Sequence, residues 1–169
     1  MKTVCLAGMM GAGKTSVSKI LSDKLNMEIL DIDFIIEQKE GMKISEIFAQ
    51  KGENYFRYVE QNTIVSVLKN ENQVISLGGG AFENEKTRKF LLENSTVIYL
   101  ETSAEVIFER IKNDVSRPLL CDNMSVEKIK EILGKRVNNY KFAQITINTD
   151  GKSQIEIADE IIGVLNYGS

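Results

Sequence analysis

Residues 8–15 read Gly-Met-Met-Gly-Ala-Gly-Lys-Thr and fit G-x-x-x-x-G-K-[ST], the pattern of a phosphate-binding loop. Glycines in this pattern let backbone N–H groups curl around a polyphosphate, and Lys14 brings a cation to the β- and γ-phosphates. The hydroxyl of Thr15 suits Mg²⁺, which prefers hard oxygen ligands. The helix expected after the loop adds its positive N-terminal end to the anion site. The alternative is a glycine-rich turn that Lys14 and Thr15 follow by chance.

Two acidic residues, Asp31 and Asp33, stand at the end of the second predicted strand. The two-residue period of a strand places both side chains on the same side, about 6.5–7 Å apart. One carboxylate there can hold Mg²⁺ through water, and the other can orient an attacking hydroxyl or accept its proton. Alternatively, an aspartate caps a helix over 34–38, for which its side chain is well suited. The two roles are compatible.

Three consecutive glycines, Gly78, Gly79 and Gly80, follow the third predicted strand. A bare backbone can approach a ligand closely and present N–H groups to it, although a flexible turn is the alternative.

Arg57 and Arg136 stand on predicted helices, where a guanidinium can bind a carboxylate or a phosphate with two parallel hydrogen bonds. A lone arginine is otherwise usually a solvated surface residue.

Residues 112–124 show little periodicity and contain the chain's one proline, Pro118, directly after Arg117. A polar segment that carries a basic residue near a phosphate site is typical of a lid, which excludes water and brings an arginine to the transferred phosphoryl group. The alternative is an ordinary long connection.

The segment 147–151 after the last strand either borders the adenine of a nucleotide or forms a plain turn.

The elements that must position these residues alternate along the chain. Apolar runs without alternation suit strands buried on both faces and predict strands at 2–7, 28–32, 73–77, 96–100 and 144–148. Helical periodicity after the phosphate-binding loop predicts one helix there and further helices at 44–49, 56–68, 86–92, 104–111, 126–137 and 155–165. In the last helix, the residues expected to face the core are Ile155, Ala158, Ile162 and Leu165.

The alternation of strands and helices predicts an α/β protein with a parallel sheet and helices on both faces. In such sheets ligands bind at the carboxyl ends of the strands. All the candidate segments that follow strands are therefore expected to meet at one edge of the sheet.

The composition of the 169 residues limits the function further and favours one domain. Histidine is absent, so histidine triads and histidine metal sites are excluded, and proton transfer falls to a carboxylate, Lys, Tyr or Cys. The net charge of −3 makes nucleic acid an unfavoured partner.

Met1 leads directly into a predicted strand and no apolar run approaches about 18 residues, so neither a signal peptide nor a membrane span is expected. Cys5 and Cys121 are expected to be reduced thiols of a cytoplasmic protein.

In order and over most of the chain, these motifs resemble the shikimate kinase family, which belongs to the P-loop kinases related to nucleoside-monophosphate kinases. The motifs are the phosphate-binding loop at 8–15, Asp-Ile-Asp at 31–33, Gly-Glu-Asn-Tyr-Phe-Arg at 52–57, three glycines at 78–80, Arg-Pro-Leu-Leu at 117–120, and Arg136 with Tyr140. The phosphate-binding loop indicates only a superfamily, whereas the other motifs together are much more specific. The resemblance implies a three-layer α/β/α P-loop kinase fold, with a five-stranded parallel sheet of order 2-3-1-4-5, in a single domain over 1–169 with a lid at about 112–124.

The resemblance also implies transfer of the γ-phosphoryl group of ATP to the 3-hydroxyl of shikimate, giving shikimate 3-phosphate and ADP in the biosynthesis of chorismate and aromatic amino acids. Shikimate and ATP are then the partners, Mg²⁺ is the cofactor, and a cytoplasmic monomer is expected, with no nucleic acid or membrane as partner.

The residues implied to be catalytic are Lys14, Asp33 and Arg117. The residues implied to bind ATP are Gly11, Ala12, Gly13, Lys14, Thr15, Ser16, Arg110 and Arg117. Those implied to bind shikimate are Asp33, Arg57, Gly78, Gly79, Gly80 and Arg136, in a pocket lined or braced by Phe48, Phe56 and Glu60. Thr15 is implied to bind Mg²⁺, with Asp31 acting through water.

Three other functions share some of these sequence features. A kinase for another small molecule or for a nucleoside monophosphate shares the architecture, although the short lid disfavours forms with a large inserted lid domain. A nucleotide-dependent switch is a different class, and the sequence lacks the N-K-x-D segment with which GTPases recognise guanine. An inactive, ligand-binding relative is disfavoured by the intact Lys14, Asp33 and Arg117.

Overall fold

The computed structural model describes residues 2–112 and 124–167. Five strands form one sheet in which all pairings are parallel and the order is β2-β3-β1-β4-β5. They are β1 (Val4–Ala7), β2 (Glu28–Asp31), β3 (Gln73–Ser76), β4 (Thr96–Glu101) and β5 (Ile145–Asn148). The predicted order 2-3-1-4-5 is therefore confirmed.

Seven helices connect or follow the strands in the described part of the chain. They are α1 (Lys14–Leu25), α2 (Ile32–Glu40), α3 (Ile44–Val67), α4 (Glu85–Asn94), α5 (Ala104–Lys112), α6 (Val126–Tyr140) and α7 (Gln154–Tyr167). Every predicted strand and helix is present, with ends shifted by a few residues. None of the described helices combines the length and apolarity that a membrane span requires.

The predicted lid falls mostly outside the described residues, which stop at Lys112 and resume at Met124. The lid itself, Arg117 within it and the thiol of Cys121 therefore stay predictions. Cys5, in contrast, lies in β1 as expected and is completely buried, with a free thiol. Burial raises the pKa of that thiol to about 12.

Side chains of the central strand alternate between two apolar cores, one on each face of the sheet. Val4 and Leu6 pack into a core with α1 and α7. Cys5 and Ala7 face the opposite way, into a larger core shared with α2, α3, α4, α5 and α6. This alternation confirms the three layers, because a strand with a two-residue period can bury both faces only between two layers of helices.

The buried face of α7 agrees with the prediction at Ala158, but the prediction for Ile155 is wrong. Ile155 is 57% exposed, whereas Ile157, Ala158 and Ile161 are at most 1% exposed. Ile162 and Leu165 lie at the border of the core, where they pack partly buried against it. Apolar residues are dense enough in this segment to form two overlapping stripes, and packing of α7 against α1 selects the stripe that faces the sheet.

The end of β2 also differs from its prediction, because α2 begins at Ile32 directly after the strand ends at Asp31. The prediction that a continuous strand places the side chains of Asp31 and Asp33 on the same side is therefore wrong. Asp31 is instead the N-cap of α2, and its carboxylate accepts a hydrogen bond from the Phe34 amide at 3.1 Å. The capping alternative is thus confirmed for Asp31, while Asp33 lies in the first turn of the helix, where a negative charge is favourable.

Helix α3 bends at Gly52, where the two predicted helices 44–49 and 56–68 extend until they meet. Gly52 has φ 82° and ψ 168°, which is not a helical conformation. This region of backbone space is essentially restricted to glycine, because a Cβ clashes with the neighbouring peptide groups. The bend separates the first part of α3 from the part that carries Arg57 and Glu60.

Gly52→Ala is expected to reduce the free energy of unfolding by about 1–3 kcal/mol, because alanine must adopt the strained conformation. Apart from the adjacent backbone, no atom of residues 2–112 and 124–167 lies within 4 Å of the added methyl group, so the cost comes from the local conformation and not from tertiary packing. In a chain of this size each 1 kcal/mol corresponds to about 2–4 °C in Tm, which thermal unfolding measures.

Gly134→Ala is the matched control, because Gly134 lies inside α6 and the described residues leave equally open space around it. Alanine there should stabilise the protein by about 0.5–1 kcal/mol through its better helix propensity. The same sign of Tm shift in both variants would contradict the role of Gly52.

Candidate active site

The phosphate-binding loop lies between β1 and α1, in the strand-loop-helix context that its motif requires. The side chain of Lys14 is buried, and its ammonium group donates to the carbonyl oxygens of Gly8 at 2.8 Å and Met9 at 2.9 Å. These bonds hold the lysine over the loop. A phosphate oxygen is a stronger, charge-assisted acceptor than a neutral carbonyl, so the ammonium group can exchange these partners for a bound polyphosphate.

Arg110 reaches the same loop from α5. Its Nη1 donates to the carbonyl oxygen of Gly11 at 3.1 Å. A Cβ added to Gly13 would lie 3.7 Å from the same Nη1, so the guanidinium covers the loop just before α1. The structure therefore brings Arg110 next to the residues implied to bind ATP. Ala12 differs from them because its side chain is fully buried in the core, which leaves its backbone to serve the site.

Three oxygen-bearing side chains meet beside the loop at the ends of β2 and β3. The hydroxyl of Thr15 donates to Oδ2 of Asp31 at 2.9 Å and lies 3.5 Å from the hydroxyl of Ser76. Asp31 and Ser76 are partners across the pairing of β2 with β3. Sequence reasoning did not single out Ser76, although it occupies the carboxyl end of a parallel strand, where ligands bind.

The glycine segment 78–80 passes between acidic side chains and a guanidinium. A Cβ on Gly78 would lie 2.8 Å from both Oδ1 of Asp33 and Oε2 of Glu60. A Cβ on Gly80 would overlap the guanidinium of Arg57. Positions 78 and 80 therefore require glycine, because side chains of the protein itself occupy the space that a Cβ at either position would need.

Arg57 and Glu60 form a partly buried ion pair one turn apart on α3. Nη1 of Arg57 donates to Oε1 of Glu60 at 2.8 Å, and only 4% of the Glu60 side chain is exposed. The exposed carboxylate of Glu53 lies 3.6 Å from Nε of the same guanidinium. Burial raises the pKa of the Glu60 carboxyl in spite of the lowering effect of Arg57, and the charge of Asp33 adds to the rise.

Two aromatic rings support this ion pair from α3. The ring centroids of Phe48 and Phe56 are 4.6 Å apart, and the guanidinium carbon of Arg57 lies 5.1 Å from the centre of the Phe56 ring. A guanidinium over an aromatic face is held by the ring quadrupole as well as by packing. The rings therefore restrict the orientation of Arg57.

Arg136 approaches the glycine segment from the opposite side, on α6. Its Nη1 donates to the carbonyl oxygen of Gly79 at 3.1 Å and to Sδ of Met9 at 3.6 Å. The two arginines implied to bind shikimate thus lie at neighbouring positions of the glycine segment, at Gly80 and Gly79.

A cavity of about 340 Å³ joins the phosphate-binding loop to the acidic and glycine-rich part of the site. Of the residues implied by the resemblance, those that line it are Gly11, Gly13, Lys14, Thr15, Ser16, Asp31, Asp33, Gly79 and Arg110. Beside the glycine segment 78–80 lie the side chains of Arg57, Glu60 and Arg136. Phe56 contacts the Arg57 guanidinium, and Phe48 packs on Phe56. Gln154, at the start of α7, also lines the cavity. Sequence reasoning missed Gln154 because it attended to the turn before this helix.

That turn, within the segment 147–151, has a structural role. The hydroxyl groups of Thr149 and Thr102 are 2.6 Å apart and both residues are buried. Oδ1 of Asp150 accepts a hydrogen bond from the amide of Ser103 at 3.0 Å. These bonds tie the segment after β5 to the segment after β4, and a contact of 147–151 with adenine stays a prediction.

Comparison with known proteins gives one consistent result. A model of the shikimate kinase family matches residues 10–166. The shikimate kinase of Sulfurihydrogenibium sp. (strain YO3AOP1) is 45% identical over 162 residues, which cover 96% of each chain. The shikimate kinase of Persephonella marina (strain DSM 14350 / EX-H1) is 45% identical over 163 residues, which cover 96% of this chain and 98% of the relative.

A solved structure agrees with the sequence relatives. Shikimate kinase from Acinetobacter baumannii in complex with shikimate matches with a TM-score of 0.94 and 33% identity, over 100% of this chain and 95% of that chain. The resemblance read from the motifs is therefore confirmed, and the chain belongs to the shikimate kinase family of ATP-dependent phosphotransferases.

Proposed function

We propose that the protein phosphorylates the 3-hydroxyl of shikimate in the cavity between the phosphate-binding loop and the glycine segment, giving shikimate 3-phosphate and ADP in the biosynthesis of chorismate and aromatic amino acids. The observation that carries this proposal is that one cavity contains Lys14 and Thr15 together with Asp33 and Gly79. Phosphoryl transfer depends on positioning and charge neutralisation more than on covalent chemistry. A donor site and an acceptor site that share one cavity meet that requirement.

ATP binds at the end of the cavity formed by the phosphate-binding loop. The N-terminus of α1 and the backbone of Gly11 and Gly13 receive the phosphates, and Lys14 neutralises the β- and γ-phosphates. Ser16 and Arg110 line the same end of the cavity, which supports their assignment to ATP.

The oxygens beside the loop fit Mg²⁺. Thr15 Oγ1 and the Asp31 carboxylate are in direct contact, and both are hard oxygen donors. The described residues contain no cluster of three or more His, Cys, Asp or Glu side chains that could hold a metal ion. Mg²⁺ commonly takes its other ligands from phosphates and water, so Thr15, with Asp31 acting through water, would hold it. When bound, the ion supplies neutralisation of the phosphate charge.

Shikimate binds at the glycine end of the cavity. Arg57 and Arg136 hold its carboxylate, with Gly79 and Gly80 in support, and Phe48, Phe56 and Glu60 brace Arg57. Asp33 lies in the cavity beside Gly78, where its carboxylate orients the reacting hydroxyl or accepts its proton. Arg117 of the predicted lid 112–124 acts on the transferred phosphoryl group, an assignment that rests on the family resemblance alone.

The chain acts as one domain, as a monomer and in the cytoplasm. The free, buried thiol of Cys5 is compatible with a reducing compartment.

The test of the reaction is ADP release with MgATP, measured alone and with shikimate, quinate, gluconate or a nucleoside monophosphate. We expect ADP production that depends on shikimate, together with loss of at least about 100-fold in kcat for Lys14→Ala, because the phosphate charge then lacks its cation. Lys24→Ala is the matched control, since Lys24 lies on the same helix in an exposed ion pair with Asp159. Release that depends on another acceptor would overturn the substrate, and a Lys14→Ala variant within about twofold of wild type would overturn the role of the loop.

Arg57→Ala should raise the KM for shikimate by about 10–100-fold and leave the KM for ATP within about twofold, because it removes one of the two guanidinium groups assigned to the carboxylate. Arg57→Lys keeps the charge but loses the planar fork, so an intermediate value is expected. Steady-state kinetics with shikimate and with its methyl ester measure the effect. If Arg57 contacts the carboxylate, the variant loses much less affinity for the ester than for the acid, and equal losses for both ligands would refute the contact.

Glu60→Gln should change the pH dependence of stability. The pKa of Glu60 in the folded protein is raised above the ordinary 4.5, so the folded chain binds this proton more tightly than the unfolded chain. Its contribution to stability is then largest below about pH 4.5 and decreases as the pH rises from there through the raised pKa. The unfolding free energy of the wild type minus that of the variant, from urea unfolding at several pH values, should therefore fall across this window.

Glu53→Gln serves as the control for removing a carboxylate from the same guanidinium. Glu53 is 67% exposed, and exposed ion pairs contribute at most about 1 kcal/mol, so this variant should stay close to wild type throughout. A wild-type-minus-Glu60→Gln difference that increases with pH would show that the ion pair with Arg57 outweighs burial.

A further inference from the structure

The carbonyl oxygen of Gly79 accepts two hydrogen bonds from the same helix. The hydroxyl of Tyr140 donates to it at 2.7 Å, and Nη1 of Arg136 donates to it at 3.1 Å. Residues four apart on a helix lie on one face, so both donors reach the carbonyl from the same side. The peptide group of Gly79 is thereby fixed against α6.

The ring of Tyr140 is held rigidly behind this contact. Tyr140 is 1% exposed, and its ring stacks on Tyr99 of β4, with centroids 4.6 Å apart and an angle of 11° between the planes. The ring of Phe82, two residues after the glycine segment, is nearly parallel to that of Tyr140, with the centroids 6.5 Å apart. Such packing fixes the direction of the hydroxyl group as well as the position of the ring.

The hydroxyl of Tyr140 is also held in its donor form. Burial raises the pKa of Tyr140 above its ordinary value, although the nearby Arg136 opposes the rise. The group therefore stays protonated at neutral pH and can donate to the carbonyl.

Gly79 connects this buried contact to the cavity, which it lines. A Cβ added to it would lie 3.4 Å from the Met10 amide nitrogen and 3.6 Å from Nη1 of Arg136. The next residue, Gly80, leaves the space that the Arg57 guanidinium fills. A shift of the Gly79 peptide would consequently move the backbone between both guanidinium groups.

We propose that Tyr140 is a positioning residue for shikimate. Its hydroxyl donates to the Gly79 carbonyl oxygen and so holds the glycine backbone in place. Arg136 then retains N–H donors for the substrate carboxylate. Without the hydroxyl, the carbonyl depends on Arg136, and a guanidinium engaged there is less available to a ligand. This inference rests on the proposed placement of shikimate at Arg57, Arg136 and Gly79.

Tyr140→Phe tests the inference, because it removes one oxygen atom and keeps the stacked ring. Tyr99→Phe is the matched control, since it makes the same change on the adjacent ring of the stack. Calorimetric titration with shikimate and with a non-hydrolysable MgATP analogue separates the two halves of the cavity, and thermal unfolding verifies that each variant is folded. We expect shikimate affinity to fall by about tenfold in Tyr140→Phe, the effect of one lost hydrogen bond. Nucleotide affinity should stay within twofold, and Tyr99→Phe should match wild type for both ligands.

Equal losses for shikimate and nucleotide in Tyr140→Phe, or shikimate affinity within twofold of wild type, would overturn the positioning role. Arg57→Ala, titrated in parallel, identifies which assumption has failed. If Arg57→Ala weakens shikimate binding and Tyr140→Phe does not, the role of Tyr140 is wrong and the placement of shikimate stands. If neither variant affects shikimate, the placement itself is wrong. The same pattern should appear in kinetics, where Tyr140→Phe raises the KM for shikimate with a much smaller change in kcat.

Discussion

The bare backbone at residues 78–80 is the constraint on which the rest of the acceptor site depends. Side chains from three helices converge there, with Asp33 from α2, Arg57 from α3 and Arg136 from α6. Any side chain at Gly78 or Gly80 would occupy the space of a carboxylate or a guanidinium. At residues 78–80 the charged groups therefore pack against backbone that contributes no side chains, which lets opposite charges lie close together.

The parallel sheet explains why the donor and acceptor ends meet. β1 and β3 are neighbours in the sheet, with Leu6 paired to Ser76, so the phosphate-binding loop after one strand and the glycine segment after the other emerge side by side. The adjacent β2 brings Asp31 against Thr15 through its pairing with Ser76. This strand order alone positions a cation, two hydroxyl groups and a carboxylate at one edge, before any specific contact is considered.

Hydrophobic period predicted a parallel sheet with helices on both faces, and the resemblance to shikimate kinases implied the strand order that the structure has. The candidate site residues follow from motifs with fixed spacing and from the same resemblance. Sequence patterns failed where tertiary contacts decide between local alternatives. Ile155, for example, is exposed because packing of α7 against α1 turns it towards the surface. The choice at Asp31 is local, since it caps α2 by accepting from the Phe34 amide, which is one of the two alternatives that the sequence offers. Gln154 and the hydrogen bond of Tyr140 to Gly79 join parts of the chain that are distant in sequence, so local periodicity carries no signal for them.

The two arginines of the acceptor site differ in the charge of the protein groups that they contact. Arg57 is paired with the buried Glu60 and lies near Glu53, so part of its charge is neutralised within the protein. Arg136 contacts a carbonyl oxygen and a thioether, and in the described part of the chain it forms no ion pair. A neutral partner leaves the positive charge of Arg136 to attract an anion, whereas the carboxylate of Glu60 fixes the fork of Arg57. In the proposed complex, Arg136 would mainly attract the anionic substrate and Arg57 would mainly orient it, with the Gly79–Gly80 backbone between the two guanidinium groups.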